Sequence, residues 1–251
     1  MLELIQSFGF SNSDWMIALI CGFLIGTAKA GVAGTGLLIV PIMAIVFGGK
    51  TSTGIVLPML ITADIFAVRY YSRHADWSYV LKVMPWAIVG VLVALVVGNV
   101  VSDEVFRSAL SVSVLVGVIM MVWIDLKKIA TIPDYWWFAM ILGFLGGFAT
   151  MIGNAAGPVL SLYLLSMRIP KLQFIGTAAW FFLLINLFKV PLHIFIWETI
   201  TIKTITFNLM LAPAIIIGVF AGIKVVKIIP EKPYRFLVIS STAVSSLLLF
   251  F

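Results

Sequence analysis

The sequence predicts an all-α integral membrane protein of two inverted-topology repeats, each a broken-helix hairpin plus three spanning helices. Three observations predict it: an apolar composition, a glycine-interrupted apolar run that occurs twice, and the placement of the basic residues. Of 251 residues, 63% are hydrophobic and 10% are charged, and the mean hydropathy is +1.19. A soluble domain is about half apolar and a quarter charged, so this much apolar surface does not fit a water-soluble core. The apolar runs are long and do not alternate with polar residues, which favours helices over a β-barrel. No soluble domain stands out, and residues 1–251 read as one membrane domain.

The first element is the apolar run 15–47, 33 residues long. A span needs about 20, so the run is too long for one helix and too short for two ordinary ones. Its middle, GFLIGTAKAGVAGTGLLIVP at 22–41, breaks near 28–34. Two short helices follow from that break, as a re-entrant hairpin or a pair of short spans. Spans are then expected at 51–71, 78–99 and 104–124, and a linker at 125–133. The pattern starts again with a broken pair at 136–167 around GFLGGFATMIGNAAGPVL, followed by spans at 171–192, 202–223 and 233–251. Repeat one is thus 14–124 and repeat two 134–251.

The offset between the copies supports duplication. Gly22, Phe23, Leu24 and Gly26 match Gly143, Phe144, Leu145 and Gly147 at an offset of 121, and Gly36 matches Gly157. Further on the offset is 128, where Pro85, Gly90 and Arg107 match Pro213, Gly218 and Arg235. Lys and Arg set the orientation. Arg69, Arg73, Lys82, Lys127, Lys128, Arg168, Lys171, Lys224, Lys227, Lys232 and Arg235 fall on one side, taken as cytoplasmic, which puts both termini outside. This arrangement also accounts for the net charge of +6 without nucleic acid. The basic loop follows the first full span in half one and the second in half two, so the halves are opposed, with an odd number of crossings each. The two hairpins then enter from opposite sides, and their tips should meet near the midplane. Trp15 and Trp197 fall at the outer boundary, and Trp77, Trp123, Trp136 and Trp137 at the inner one. The N-terminus has no basic residue before the first apolar run, which argues against a cleaved signal peptide.

The breaks are where chemistry is expected. Irregular backbone survives at membrane depth only against protein or a wet cavity. Helices restarting there present free N–H groups and a positive dipole end to an anion. The substrate-binding candidates are therefore Lys29, Gly31, Gly34, Thr35 and Gly36 in the first copy, and Asn154, Ala155 and Gly157 in the second. Lys29 either neutralises an anion or snorkels to the surface. Thr150 stands at its offset in the second copy, which makes the site asymmetric. Asp64 is the coupling candidate: it pairs with Lys29 or carries a proton, unless it forms a structural ion pair with Arg69 or Arg73. Gln173, Thr177 and Asn186 are candidates for an inner vestibule, with Asn186 equally readable as a packing hydrogen bond. Lys189 and His193 read as residues of the outer interface. Small residues at Gly90, Ala94 and Gly98, and at Gly218, Ala221 and Gly222, form packing faces within the bundle or at a homodimer contact.

Other chemistries lack their residues. Cys21 is the only cysteine, so neither an internal disulfide nor a cysteine metal cluster forms. His74 and His193 fall on opposite sides, and no metal site or cofactor is expected. The glycines at 31–36 follow no strand, so they are not a dinucleotide fingerprint, and neither HExxH nor a Walker A sequence is present.

The glycine run with its echo after a central linker resembles the TauE/SafE sulfite-exporter family of prokaryotic membrane transporters. The resemblance covers nearly the whole chain, including Pro41 and the Pro85/Gly90 and Pro213/Gly218 spans. The second copy departs from the glycine-rich form at Asn154, Ala155 and Ala156. The resemblance implies a secondary transporter moving sulfite, a sulfonate or a related small anion across the inner membrane. From the residues alone the expectation is a two-half transporter with an anion-friendly centre, not an enzyme. It would sit among membrane lipid and use a proton or sodium gradient, with a passive anion channel as the alternative.

Overall fold

The computed structural model describes residues 10–32, 39–47, 49–98 and 135–248, and every regular element among them is helical. In chain order these are α1 (Asn12–Lys29), α2 (Ile39–Phe47), α3 (Gly49–Tyr71), α4 (Trp77–Val97), α5 (Trp136–Gly153), α6 (Ala156–Ser166), α7 (Lys171–Phe195), α8 (Ile202–Ile228) and α9 (Glu231–Leu248). The expected span 104–124 and linker 125–133 lie outside the described residues, as do Arg107, Trp123, Lys127 and Lys128. Among the described residues, five helices are long and apolar enough to cross a membrane: Thr51–His74, Trp77–Val97, Trp136–Gly153, Lys171–Phe195 and Ile202–Ile228.

Local sequence fixes the helix starts. Ser11 caps α1 in a capping box: its hydroxyl accepts from the Asp14 N–H at 3.2 Å, and the Asp14 carboxylate accepts from the Ser11 N–H at 2.9 Å. Thr201 and Thr204 cap α8 in the same reciprocal way. Asp76 caps α4 by accepting from the Ser78 N–H.

Glycines set the tightest helix crossings, and they do so reciprocally. A Cβ at Gly26 would meet the Ile215 carbonyl and lie 2.7 Å from the Val219 nitrogen, while one at Gly218 would meet the Phe23 carbonyl. In the other crossing, a Cβ at Gly147 would meet the Ala87 carbonyl, and one at Gly90 the Phe144 carbonyl. Moving the first-half residues by 121 and the second-half residues back by 128 turns one set of contacts into the other. Each half's first helix therefore packs on the other half's helix, α1 on α8 and α5 on α4. Backbone meets backbone where any side chain would hold the helices apart.

The contacts also give directions. Along α1 and α8, Gly22 lies by Ala214 and Gly222 by Thr27 and Ala30, so these helices run parallel. In α4 and α5, Gly143 lies by Val83 and Gly147 by Ala87, again parallel. In α3 and α7, Gly54 lies by Thr199, beyond the end of α7, Asp64 by Asn186, and Tyr71 by Gly176, so these run antiparallel. One end of the bundle gathers the close of α3 and the starts of α4, α5, α7 and α9. There the Gln173 side-chain amide donates to Asp76, and Lys171 Nζ donates to the carbonyls of Val226 and Ile229. Arg69, Arg73, Lys82, Arg168, Lys171, Lys224, Lys227, Lys232 and Arg235 lie on segments at or near this end. Trp77, Trp136 and Trp137 are exposed there, whereas Trp197 is buried beside His193 at the opposite end.

The broken pairs divide unevenly rather than into two short helices. α1 and α5 have 18 residues each, about 27 Å of helix, nearly the thickness of the hydrocarbon core. α6 has 11 residues.

Candidate functional site

The first break is closed by a left-handed glycine. Gly31 has φ +104°. Its N–H bonds the Ala28 carbonyl at 3.0 Å, and the Val32 N–H bonds the Thr27 carbonyl at 3.1 Å. This is the paired bonding that ends a helix on a residue without a Cβ. The Tyr71 hydroxyl donates to the Ala30 carbonyl at 3.1 Å and ties this end to α3. The stop leaves Lys29 in the last turn of α1. Its Nζ lies 2.9 Å from Asp64 Oδ1 and 3.7 Å above the Phe182 ring. The Lys29 side chain is 12% exposed and that of Asp64 is fully buried. Lys29 therefore points inward rather than snorkelling, and the Asp64 partner is Lys29, not Arg69 or Arg73. The contact is ionic rather than an aligned hydrogen bond. The other Asp64 oxygen accepts from Asn186 Nδ2 at 2.7 Å, which joins α3 to α7.

The second break uses Asn154 instead of glycine. Its φ of 52° is left-handed, and its N–H bonds the Thr150 carbonyl at 3.1 Å. Asparagine tolerates this region better than most residues. Its side chain is used on both sides: Nδ2 donates to the Thr53 carbonyl at 3.4 Å, and Oδ1 accepts from Lys189 at 2.7 Å. Lys189 Nζ also donates to the Thr150 carbonyl at 2.8 Å and the Thr150 hydroxyl at 3.0 Å. Ala155 is buried, and a Cβ at Gly157 would enter open space.

The ends of α1 and α5 reach α3 at different levels. Lys29 reaches α3 at Asp64 and Asn154 reaches it at Thr53. Those positions are 11 residues, about 16 Å, apart along the helix. A stripe on α7 joins the two levels. Phe182, Asn186, Lys189 and His193 recur at helical spacing, and Lys189 is close enough to act electrostatically on both Lys29 and Asp64.

Lys189 and His193 are fully buried, not at the outer interface as their sequence position suggested. Gln173 lines an open cleft with His74, Lys171 and Glu231. Thr177 is buried beneath, its hydroxyl accepting from the Asp76 N–H at 2.9 Å, and Asn186 is buried against Asp64. Gly34, Thr35 and Gly36 lie outside the described residues. Among the described residues no three His, Cys, Asp or Glu side chains group to hold a metal.

Apolar helices packed backbone to backbone around a buried charged stripe define a multi-pass membrane protein with charge in its interior. The model of the sulfite exporter TauE/SafE family matches residues 18–249, and the chain belongs to that family of membrane transporters. Neither curated proteins nor solved structures give a match.

Proposed function

We propose that the protein is a secondary transporter that carries a small anion across the inner membrane by alternating access. Sulfite, a sulfonate or a related sulfur-containing or carboxylate anion is the substrate. The observation that carries this reading is the buried pair of Lys29 and Asp64 beside a helix break, in a chain of this family. A charge at membrane depth is costly and marks a transport path. The anion sits along the α7 stripe between the two breaks. Lys29 and Gly31 attend it at one level. Asn154, Ala155 and Gly157 attend it at the other, with Gly34, Thr35 and Gly36 completing the first copy. The anion loads with Asp64 ionised, and Asp64 couples transport by then taking a proton, which loosens its pair with Lys29 and changes the charge of the site.

Two inverted repeats, 14–124 and 134–251, supply the machinery. The reciprocal glycine contacts and the antiparallel run of α3 and α7 support this. The re-entrant reading is supported by α5 and α7 starting at the same end of the bundle, so that α5 and α6 enter and leave on one face. The basic residues at that end favour it as cytoplasmic, with both termini outside. Rocking one repeat against the other would expose the stripe to each side in turn.

A thermal-shift screen of the purified protein against sulfite, thiosulfate, sulfonates and short carboxylates tests the reading. A substrate binds the folded state and raises the melting temperature by mass action. Stabilisation by one of these anions in a concentration-dependent manner is expected. No response to any of them counts against an anion carrier.

A further inference from the structure

We propose that Lys189 is the second cation of the anion site, doing for the second break what Lys29 does for the first, and that its charge makes the substrate a monoanion. This rests on the anion-transport reading above.

The two copies differ where the first has Lys29, because Thr150 stands at that offset in the second. The structure fills the gap from another helix. Lys189, on α7, is fully buried and donates to both the carbonyl and the hydroxyl of Thr150. Each break thus has an ammonium beside the C-terminal turn of its first helix, supplied by α1 itself at one and by α7 at the other. The third donor goes to Asn154 Oδ1, the side chain of the break residue. Three acceptors at 2.7–3.0 Å match the three N–H groups of a charged ammonium.

The charges then decide the substrate. Lys29 is compensated by Asp64 at 2.9 Å. The three hydrogen-bond partners of Lys189 are neutral oxygens, and among the described residues no carboxylate lies within salt-bridge distance of it, Asp64 acting only from farther off. With Asp64 ionised, Lys29, Asp64 and Lys189 sum to one positive charge. A buried net charge is unfavourable unless something neutralises it. One negative charge on the ligand does so, whereas two overshoot. The anion reaches Lys189 by displacing Asn154 Oδ1, one of its two side-chain acceptors and the one that belongs to the break residue itself. At Gly157, three residues on, a Cβ would meet nothing within 4 Å.

Calorimetric titration of the purified protein at constant ionic strength tests this, with methanesulfonate as the monoanion and sulfate as the dianion. The parent should prefer methanesulfonate. Lys189→Met should weaken methanesulfonate binding by about 30-fold or more, the effect of truncating one partner of a desolvated charge contact. Lys189→Arg should keep the preference. Asp64→Asn raises the sum to two positive charges and should shift the preference toward sulfate. Methanesulfonate binding by Lys189→Met at parental strength overturns the inference alone. If Lys189→Met does not fold, the remaining variants decide: an Asp64→Asn preference identical to the parent's overturns it. If neither these probes nor sulfite binds the parent, the transport reading fails and the inference with it.

Discussion

Asp64→Ala should destabilise the fold severely, and the structure gives the size. Both carboxylate oxygens are engaged, one with Lys29 at 2.9 Å and one with Asn186 at 2.7 Å, and the side chain is fully buried. Removing it leaves the Lys29 ammonium in the interior with 12% of its side chain exposed and nothing ionic to face. Breaking a buried pair in this way costs about 3–5 kcal/mol. For a chain of this size that lowers the melting temperature by about 6–20 °C. The double variant Lys29→Met with Asp64→Leu removes both charges and replaces them with apolar bulk. It should recover most of the loss, because a well-packed apolar pair is often as stable as the ion pair it replaces. Tryptophan fluorescence during thermal unfolding in detergent follows all three proteins. Because the pair is buried, the result should hold in both low and high salt. The reasoning fails if Asp64→Ala melts within about 2 °C of the parent, or if the double variant is no more stable than the single one.

The packing and the break make two further predictions. Gly147→Ala would drive a Cβ into the Ala87 carbonyl, so α4 and α5 must separate. The cost of such overpacking is about 1–3 kcal/mol, to be read as a lower midpoint in denaturant. Alanine at Gly146, where Val159 is 3.6 Å away, should be tolerated. Gly31→Ala meets both a φ of +104° and Ile175 Cδ1 at 2.8 Å, and should cost about 1–3 kcal/mol from the backbone alone. Adding Ile175→Val should relieve the steric part and leave the backbone part, measured by the same denaturation.

Much of this was legible before any coordinates. The composition required membrane helices, and the 121 and 128 offsets picked out Gly26, Gly90, Gly147 and Gly218, the glycines that meet at the two reciprocal crossings. Position in the chain also restricted Asp64 to Lys29 or the nearby arginines. Depth was not legible. An apolar run of 33 residues says that a break is needed but not that it falls at Gly31, which lets α1 run for 18 residues. Lys189 was misplaced for a related reason. The sequence suggests a span ending at 192, but α7 continues to Phe195, which sets Lys189 inside the helix and buried rather than at its end. A signal was present nonetheless: Lys189 is three residues after Asn186 and four before His193, so all three share one helical face. The contact of Lys189 with Thr150 joins positions 39 residues apart, and no local pattern encodes it.

The central claim is that this chain moves a small anion through a site centred on its buried lysines, with Asp64 as the coupling group. Flux of labelled sulfite into proteoliposomes under an imposed proton gradient tests it most directly, comparing the parent with Asp64→Asn and Lys29→Arg. The account predicts gradient-driven accumulation by the parent, loss of the gradient's effect in Asp64→Asn, and substantial retention of flux in Lys29→Arg. Parental flux that equilibrates sulfite and ignores both proton and sodium gradients would contradict it and leave a passive anion channel in its place.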